Sequence, residues 1–302
     1  MYDVIIVGAG TAGLSSAIYV LRLGKRVLLL ERNYYGGQII NATEIENYPA
    51  IRRISGYDFA KALYEQVIAL GADIEYERVV SIENGRYEKT VITEKNSYKC
   101  RSVIIASGLK KRKLGIENEE RFTGKGISYC AVCDGAFYKG KTVAVAGGGN
   151  TALMDALLLS DYCSRVYIIH RRKEFRGEKL LAEKLSRREN ISYMLNCTIT
   201  ALNGSERLES VSVTSNDSRI QNNIELSGLF VAVGQIPDNE SFSGLLELDE
   251  NGYIISDNCS TSAEGIFSAG DCRRKDIRQL ATAVSDGAVA GIKACEYINR
   301  KE

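Results

Sequence analysis

The sequence predicts an α/β protein of two three-layer units, the second inserted into the first. Three observations carry this expectation. A strand, a glycine turn, a helix and a second strand occur at the N-terminus and again in the middle of the chain. The two copies share one spacing: Glu31 follows Gly8 by 23 positions (31 − 8), and His170 follows Gly147 by 23 (170 − 147). A third strand-like segment, Gly265–Asp271, has no glycine fingerprint of its own and runs into a small-residue helix, so the tail returns to the first unit. On this basis the first unit spans residues 1–113 and 241–302, and the second spans 114–240.

Length and composition agree. At roughly 100–200 residues per domain, 302 residues suggest two domains. A hydrophobic fraction of 45% is ordinary for a protein with a real core. The net charge of +1 gives no reason to expect nucleic acid or an anionic membrane as partner. No apolar run approaches the roughly 18–20 residues of a membrane helix. Met1–Gly10 already has the pattern of a buried strand entering a glycine turn, which leaves no space for a leader and points to the cytoplasm. Of eight cysteines only Cys130 and Cys133 are close in sequence, and the scattered six suit small buried thiols in a reducing compartment.

In the first copy, Tyr2–Val7 is a β-branched strand, Leu14–Leu23 a small-residue helix and Arg26–Leu30 the second strand. Between strand and helix lies Gly8-Ala9-Gly10-Thr11-Ala12-Gly13. Such glycines permit a tight turn and close backbone approach to a diphosphate, with the helix N-terminus behind them offering free N–H groups and partial positive charge. Glu31 at the end of the second strand can accept hydrogen bonds from an adenosine ribose. In the second copy Thr142–Ala146 is the strand, Gly147-Gly148-Gly149-Asn150-Thr151-Ala152 the turn, Ala152–Ser160 the helix and Arg165–Ile169 the next strand. This strand ends not in an acid but in His170-Arg171-Arg172, with Arg176 beyond. A carboxylate there would repel a ribose 2′-phosphate, whereas guanidinium groups bind one through charge-assisted forks. The first Rossmann-like unit therefore suits FAD and the second NADPH. Each copy also has a later apolar strand ending in a small residue and glycine, Ser102–Gly108 and Leu229–Gly234. His170, the single histidine, fits a structural role better than a proton shuttle.

Cys130-Ala131-Val132-Cys133-Asp134-Gly135 lies inside the second unit. A two-residue spacer lets two sulfurs meet across one turn as an exchangeable disulfide, and a helix starting there favours the thiolate. Zinc would need a second cysteine pair or a histidine pair, and the chain has neither, so no metal is expected. Asp134 is placed either to shuttle a proton for the dithiol or to cap a helix. In the tail, Gly270-Asp271 can bind dinucleotide hydroxyls, and Arg278-Gln279-Leu280 opens a helix whose N-terminus would stabilise negative charge on a reduced flavin. Leu280, Ala283, Val284, Gly287 and Gly291 give that helix a narrow face suited to close packing.

Taken together these residues make the whole chain resemble the low-molecular-weight thioredoxin reductases, from Gly8–Gly13 through Gly36-Gly37-Gln38, Ile45-Glu46-Asn47-Tyr48-Pro49 and Ser128–Gly135 to Ala269-Gly270-Asp271. The resemblance implies an enzyme that moves electrons from NADPH through FAD to the Cys130–Cys133 disulfide and on to oxidised thioredoxin. It implies that Gly37, Gln38 and Asn47 lie along the FAD. It implies that Cys133 faces the flavin, Cys130 attacks the substrate and Asp134 acts as acid and base. It implies a homodimer in which the second domain rotates between two orientations. The chain departs from the family pattern at Ala50, where glycine usually follows Tyr-Pro, and in small ways at Ser107, Thr151, Gly177 and Asp238-Asn239. Ferredoxin-linked relatives lack the basic pocket that Arg171, Arg172 and Arg176 supply here. A dithiol redox sensor without turnover is the alternative from another class.

Overall fold

The computed structural model describes residues 1–42 and 44–301. In chain order, β1 (Tyr2–Val7), α1 (Thr11–Arg22) and β2 (Val27–Leu30) are followed by α2 (Gly56–Ala69), β3 (Asp73–Glu75), β4 (Val79–Asn84), β5 (Lys89–Thr93), β6 (Ser97–Ile105) and β7 (Leu109–Lys111). Then come α3 (Glu119–Phe122), β8 (Ile127–Ser128), α4 (Ala131–Asp134), β9 (Thr142–Ala146), α5 (Asn150–Ser160), β10 (Arg165–His170), α6 (Lys179–Ser186), β11 (Ile191–Leu195), β12 (Cys197–Asn203), β13 (Ser210–Ser215), β14 (Gln221–Glu225) and β15 (Gly228–Val231). The chain closes with β16 (Gln235–Pro237), β17 (Ile266–Ser268) and α7 (Leu280–Lys301).

The chain divides into two compact units: Met1–Lys110 with the segment from Ile236 onward, and Lys111–Gln235. The expected boundaries at 113/114 and 240/241 therefore move to 110/111 and 235/236. The reason is local: the chain leaves the first unit in β7 and re-enters it in β16, and these two strands pair. Strand pairing sets the crossing points.

In the first unit the sheet order is β3-β2-β1-β6-β5-β4, with β17 also paired to β6. The strands β3, β2, β1, β6 and β17 run parallel, as β-α-β crossovers require. The meander β4-β5-β6 is antiparallel. Alternation along the strands divides the core: Val4, Ile6, Leu29 and Ile104 face one cluster with α1 and α7, while Ile5, Val7, Leu28, Leu30, Val103 and Ile105 face the other. The narrow face of α7 packs on α1 as its small residues suggest. A Cβ on Gly287 would stand 2.4 Å from the Ala12 carbonyl oxygen, and Ser15 Oγ donates to the Val284 carbonyl at 2.8 Å.

The second unit has a fully parallel sheet, β11-β10-β9-β15-β8, and a separate antiparallel sheet β12-β13-β14. Its strands too split their faces, Val143, Val145, Val166 and Ile168 to one side and Ala144, Ala146, Ile169 and Leu229 to the other. Five of the scattered cysteines are buried as expected, but Cys197 is only half-buried.

Two local features carry measurable costs. Ala50 follows Pro49 in a turn closed by the Ile51 N–H to the Tyr48 carbonyl at 3.2 Å, and its φ is +68°. That conformation crowds a Cβ by about 1–2 kcal/mol and is where glycine is the ordinary choice. Ala50→Gly should therefore stabilise the protein by about 1 kcal/mol, less the entropy glycine loses on folding; thermal melts of the two proteins measure it, and an unchanged or lower Tm contradicts it. On α5, burial pushes the Asp155 carboxyl up to about 6, opposed by Lys111. With the folded value above the unfolded one, the folded state holds more protons between about pH 4 and 6, and stability falls as pH rises through that window. Asp155→Asn should raise Tm at pH 7.5, with the gain shrinking toward nothing at pH 4; a gain independent of pH would refute this.

Candidate functional site

In the first unit, β1 ends at Val7 and the chain turns at Gly8, whose φ is +102° and whose Cβ, if present, would lie 2.4 Å from the Ala106 carbonyl oxygen. The turn leads directly into α1 at Thr11-Ala12-Gly13. Glu31 stands at the end of β2 with both carboxylate oxygens engaged: Oε2 accepts from Ala9 N–H at 2.9 Å and Oε1 from Asn33 N–H at 3.0 Å. Each oxygen keeps a second lone pair, so the carboxylate is oriented by the glycine turn and still able to accept from ribose hydroxyls. Gly36 N–H donates to the Ala9 carbonyl at 2.7 Å, which brings Gly37 alongside Gly10. Gln38 Nε2 donates to the Leu109 carbonyl at 2.7 Å, and Asn47 Nδ2 to Gln279 Oε1 at 3.2 Å, the latter joining two segments far apart in sequence.

The Gly270-Asp271 turn is held by a residue the sequence reading did not single out. Asp286 on α7 accepts from Gly270 N–H at 3.1 Å and ion-pairs Arg273 at 3.3 Å and Lys275 at 3.1 Å. Asp271 Oδ1 ion-pairs Lys275 Nζ at 3.0 Å, and Arg278 Nε is buried with no hydrogen-bond partner among the described residues. Leu280 is the first residue of α7. Buried polar groups without partners are costly in a finished protein. The orphaned Nε of Arg278, beside a glycine turn and an oriented acid, fits a polar cofactor of FAD's type.

In the second unit, Gly147, Gly148, Gly149, Thr151, His170, Arg171, Arg172 and Arg176 line one cavity of about 380 Å³. His170 is buried. Its ring lies against Gly148, where a Cβ would approach it to 2.5 Å, and Nε2 lies 3.1 Å from the Glu174 carbonyl. Burial holds the imidazole below its ordinary value, with Arg172, Arg171 and Arg176 adding to the effect, so the ring is a neutral buttress under the turn. Arg176 N–H donates to the Gly148 carbonyl at 2.7 Å. The backbone of the basic loop is tied down from the antiparallel layer, since Asn216 Nδ2 donates to the Arg171 carbonyl at 3.0 Å and Asn196 N–H to that of Arg172 at 2.8 Å. Asn150 is not among the cavity-lining residues. It exchanges two hydrogen bonds of 2.8 Å with Glu178 and so pins the start of α5. Lys111, Arg112 and Lys113 also line the cavity, as does Cys197. The run of three cations was visible in the sequence, but only the pairing of β7 with β16 brings it to the glycine turn.

The dithiol stands at the start of α4. Cys130 and Cys133 are joined as a disulfide with their Cα atoms 5.3 Å apart. Cys130 is the N-cap, and its Sγ accepts from Cys133 N–H at 3.2 Å. Asp134 therefore does not cap this helix. Its Oδ2 accepts from Ser128 Oγ at 2.6 Å. A disulfide, a carboxyl beside it and a cavity lined by cationic residues thus occur in one unit.

The family model for pyridine nucleotide-disulphide oxidoreductases matches residues 2–287. The thioredoxin reductase of Mycoplasma genitalium is 42% identical over 99% of this chain and 96% of its own. Among solved structures, thioredoxin reductase from Lactococcus lactis matches with a TM-score of 0.95 and 37% identity, covering 99% of this chain and 100% of its own. The enzyme from T. acidophilum matches at 0.92 and 33%, covering 100% and 99%. The chain belongs to the pyridine nucleotide-disulphide oxidoreductases, in the branch of the thioredoxin reductases.

The cationic cavity makes a direct test of nucleotide choice. Replacing Arg171, Arg172 and Arg176 together by alanine should raise KM for NADPH more than tenfold relative to KM for NADH, since charge-assisted contacts are worth about 1.5–3 kcal/mol each. Steady-state kinetics with both nucleotides measures it, and an unchanged preference would contradict the assignment.

Proposed function

We propose that the chain is an NADPH-dependent thioredoxin reductase in which Cys130 is the sulfur that exchanges with oxidised thioredoxin. The observation that carries this is the Cys130–Cys133 disulfide in the same unit as the cavity of Arg171, Arg172 and Arg176. Bound FAD supplies two-electron chemistry between NADPH and that disulfide. The first glycine turn with Glu31, together with Gly37, Gln38, Asn47, Asp271, Arg278 and Gln279, is the set that would hold it. In the second unit the glycine turn takes the NADPH diphosphate and the arginines its 2′-phosphate.

Once the disulfide is reduced, the Cys130 thiolate attacks a sulfur of thioredoxin's disulfide, forming a mixed disulfide and releasing one thioredoxin thiolate. Cys133 sulfur then attacks Cys130 Sγ, reforming the Cys130–Cys133 bond and releasing the second thiolate. Asp134 gives a proton to a leaving sulfur. Exposure alone would favour Cys133 as attacker, since it is exposed and Cys130 half-buried. The Cys133 N–H to Cys130 Sγ hydrogen bond favours Cys130, because only the thiolate is nucleophilic and that bond stabilises it. The sequence alternative of a ferredoxin-linked enzyme has no support from a cavity lined by three arginines and Lys111-Arg112-Lys113.

The reading includes a homodimer and a reducing compartment, the latter supported by six unpaired cysteines among the described residues. No helix among the described residues is long and apolar enough to cross a membrane.

Steady oxidation of NADPH on addition of oxidised thioredoxin, with matching appearance of thioredoxin thiols, tests the activity, and a protein that consumes no NADPH under these conditions would refute it. The sulfur assignment has its own readout. Cys130→Ser should leave a Cys133 thiolate that gives a long-wavelength charge-transfer band with oxidised FAD. If only Cys133→Ser shows that band, the roles are reversed.

A further inference from the structure

Asp134 is gripped from the sheet rather than from its own helix. Ser128 lies on β8, which is paired in parallel with β15 at Phe230, and the serine is buried. Its Oγ donates to Asp134 Oδ2 at 2.6 Å and accepts from Cys130 N–H at 3.0 Å. The Cys130 carbonyl is farther, at 3.3 Å, so the single hydroxyl proton belongs to the carboxylate. One hydroxyl thus connects the carboxyl to the backbone of the cysteine turn. Asp134 also lines an open cavity of about 610 Å³ whose other titratable groups are Lys125, Tyr138, Lys141, Arg207, Glu209 and Glu225.

We infer that Ser128 is a positioning residue for the thiol–disulfide chemistry, holding the Asp134 carboxyl against the dithiol turn while the cavity beside it supplies the water with which that carboxyl exchanges its proton. This rests on the reading of Asp134 as the acid and base. In the exchange step the carboxyl O–H bond breaks as an S–H bond forms on the departing thiolate. Hydronium or water in the cavity then returns the proton to the carboxylate. Ser128 keeps its own proton throughout. One physical effect follows. Anchoring on a paired strand removes the freedom of a short flexible side chain, and misplacement of a reacting group by about 1 Å costs up to about a hundredfold in rate.

The test uses the FAD-loaded enzyme with NADPH and thioredoxin for S128A, D134N and the double variant S128A/D134N. S128A should lower kcat about tenfold and leave KM for NADPH unchanged. In the D134N background S128A should add nothing, because a residue acting through Asp134 has no further effect once the carboxylate is gone. Ser128→Cys, close in volume and a weak donor, should share the loss, and it replaces S128A if that variant fails to retain its flavin. Losses from S128A and D134N that multiply would show a structural role and overturn the inference. So would a wild-type rate in S128A or S128C while D134N is impaired. A D134N enzyme with wild-type kinetics would instead remove Asp134 from the chemistry, a failure distinguishable from that of Ser128.

Discussion

The two glycine turns depend on the absence of side chains where strands end. At Gly8 a methyl group would collide with the Ala106 carbonyl, and at Gly148 with the His170 ring. Because no Cβ stands there, the backbone N–H groups at the starts of α1 and α5 remain open to a diphosphate. In both units the same constraint reaches back into the core. The turn can be that tight only because the strand before it is buried on both faces and the following helix packs directly on the sheet. The glycines, the parallel strands and the small-residue helices are one solution to one steric problem, used twice.

What differs between the copies is the charge placed at the end of the second strand. Glu31 is fixed by two backbone N–H groups, one from the glycine turn itself, so its position is coupled to that of the turn. The corresponding place in the other unit has a buried neutral histidine followed by arginines, whose backbone is held by Asn196 and Asn216 while their guanidinium groups line the cavity. Anchored backbone with free cationic ends suits a phosphate that binds and leaves. An oriented acid, with Asp286 organising a second turn in the same unit, suits a cofactor that stays.

Much of this was legible in the sequence because it is local. Strand, glycine turn, helix and the sign of the charge that follows are set within about thirty residues, and a CxxC declares its own geometry. The parts that were not legible depend on distant pairing. The hairpin β4-β5 and the sheet β12-β13-β14 carry exposed polar positions, so their periodicity is weak beside that of the buried parallel strands. Lys111-Arg112-Lys113 reaches the cationic cavity only through the pairing of β7 with β16. Asn150 is part of the glycine fingerprint, yet it spends both polar atoms on Glu178, a residue 28 positions later that no motif includes. Ser128 precedes the cysteines by two residues, and its reach to Asp134 exists only because a short strand turns directly into a short helix.

The pairing of β17 with β6 has a consequence for the order in which the protein is made. β6 joins β1 and β5 early in the chain, but its remaining parallel edge, at Val103–Ile105, is met by Ile266–Ser268. The helix that covers α1 follows later still. During synthesis the inserted unit, continuous from Lys111 to Gln235, is complete before the unit that surrounds it. Until the tail emerges, the nascent first unit carries an open sheet edge and an uncovered apolar helix face, the features that invite mispairing between chains. The insertion that brings a dithiol and a cationic cavity into the chain therefore also lengthens the time for which the older half must wait unfinished on the ribosome.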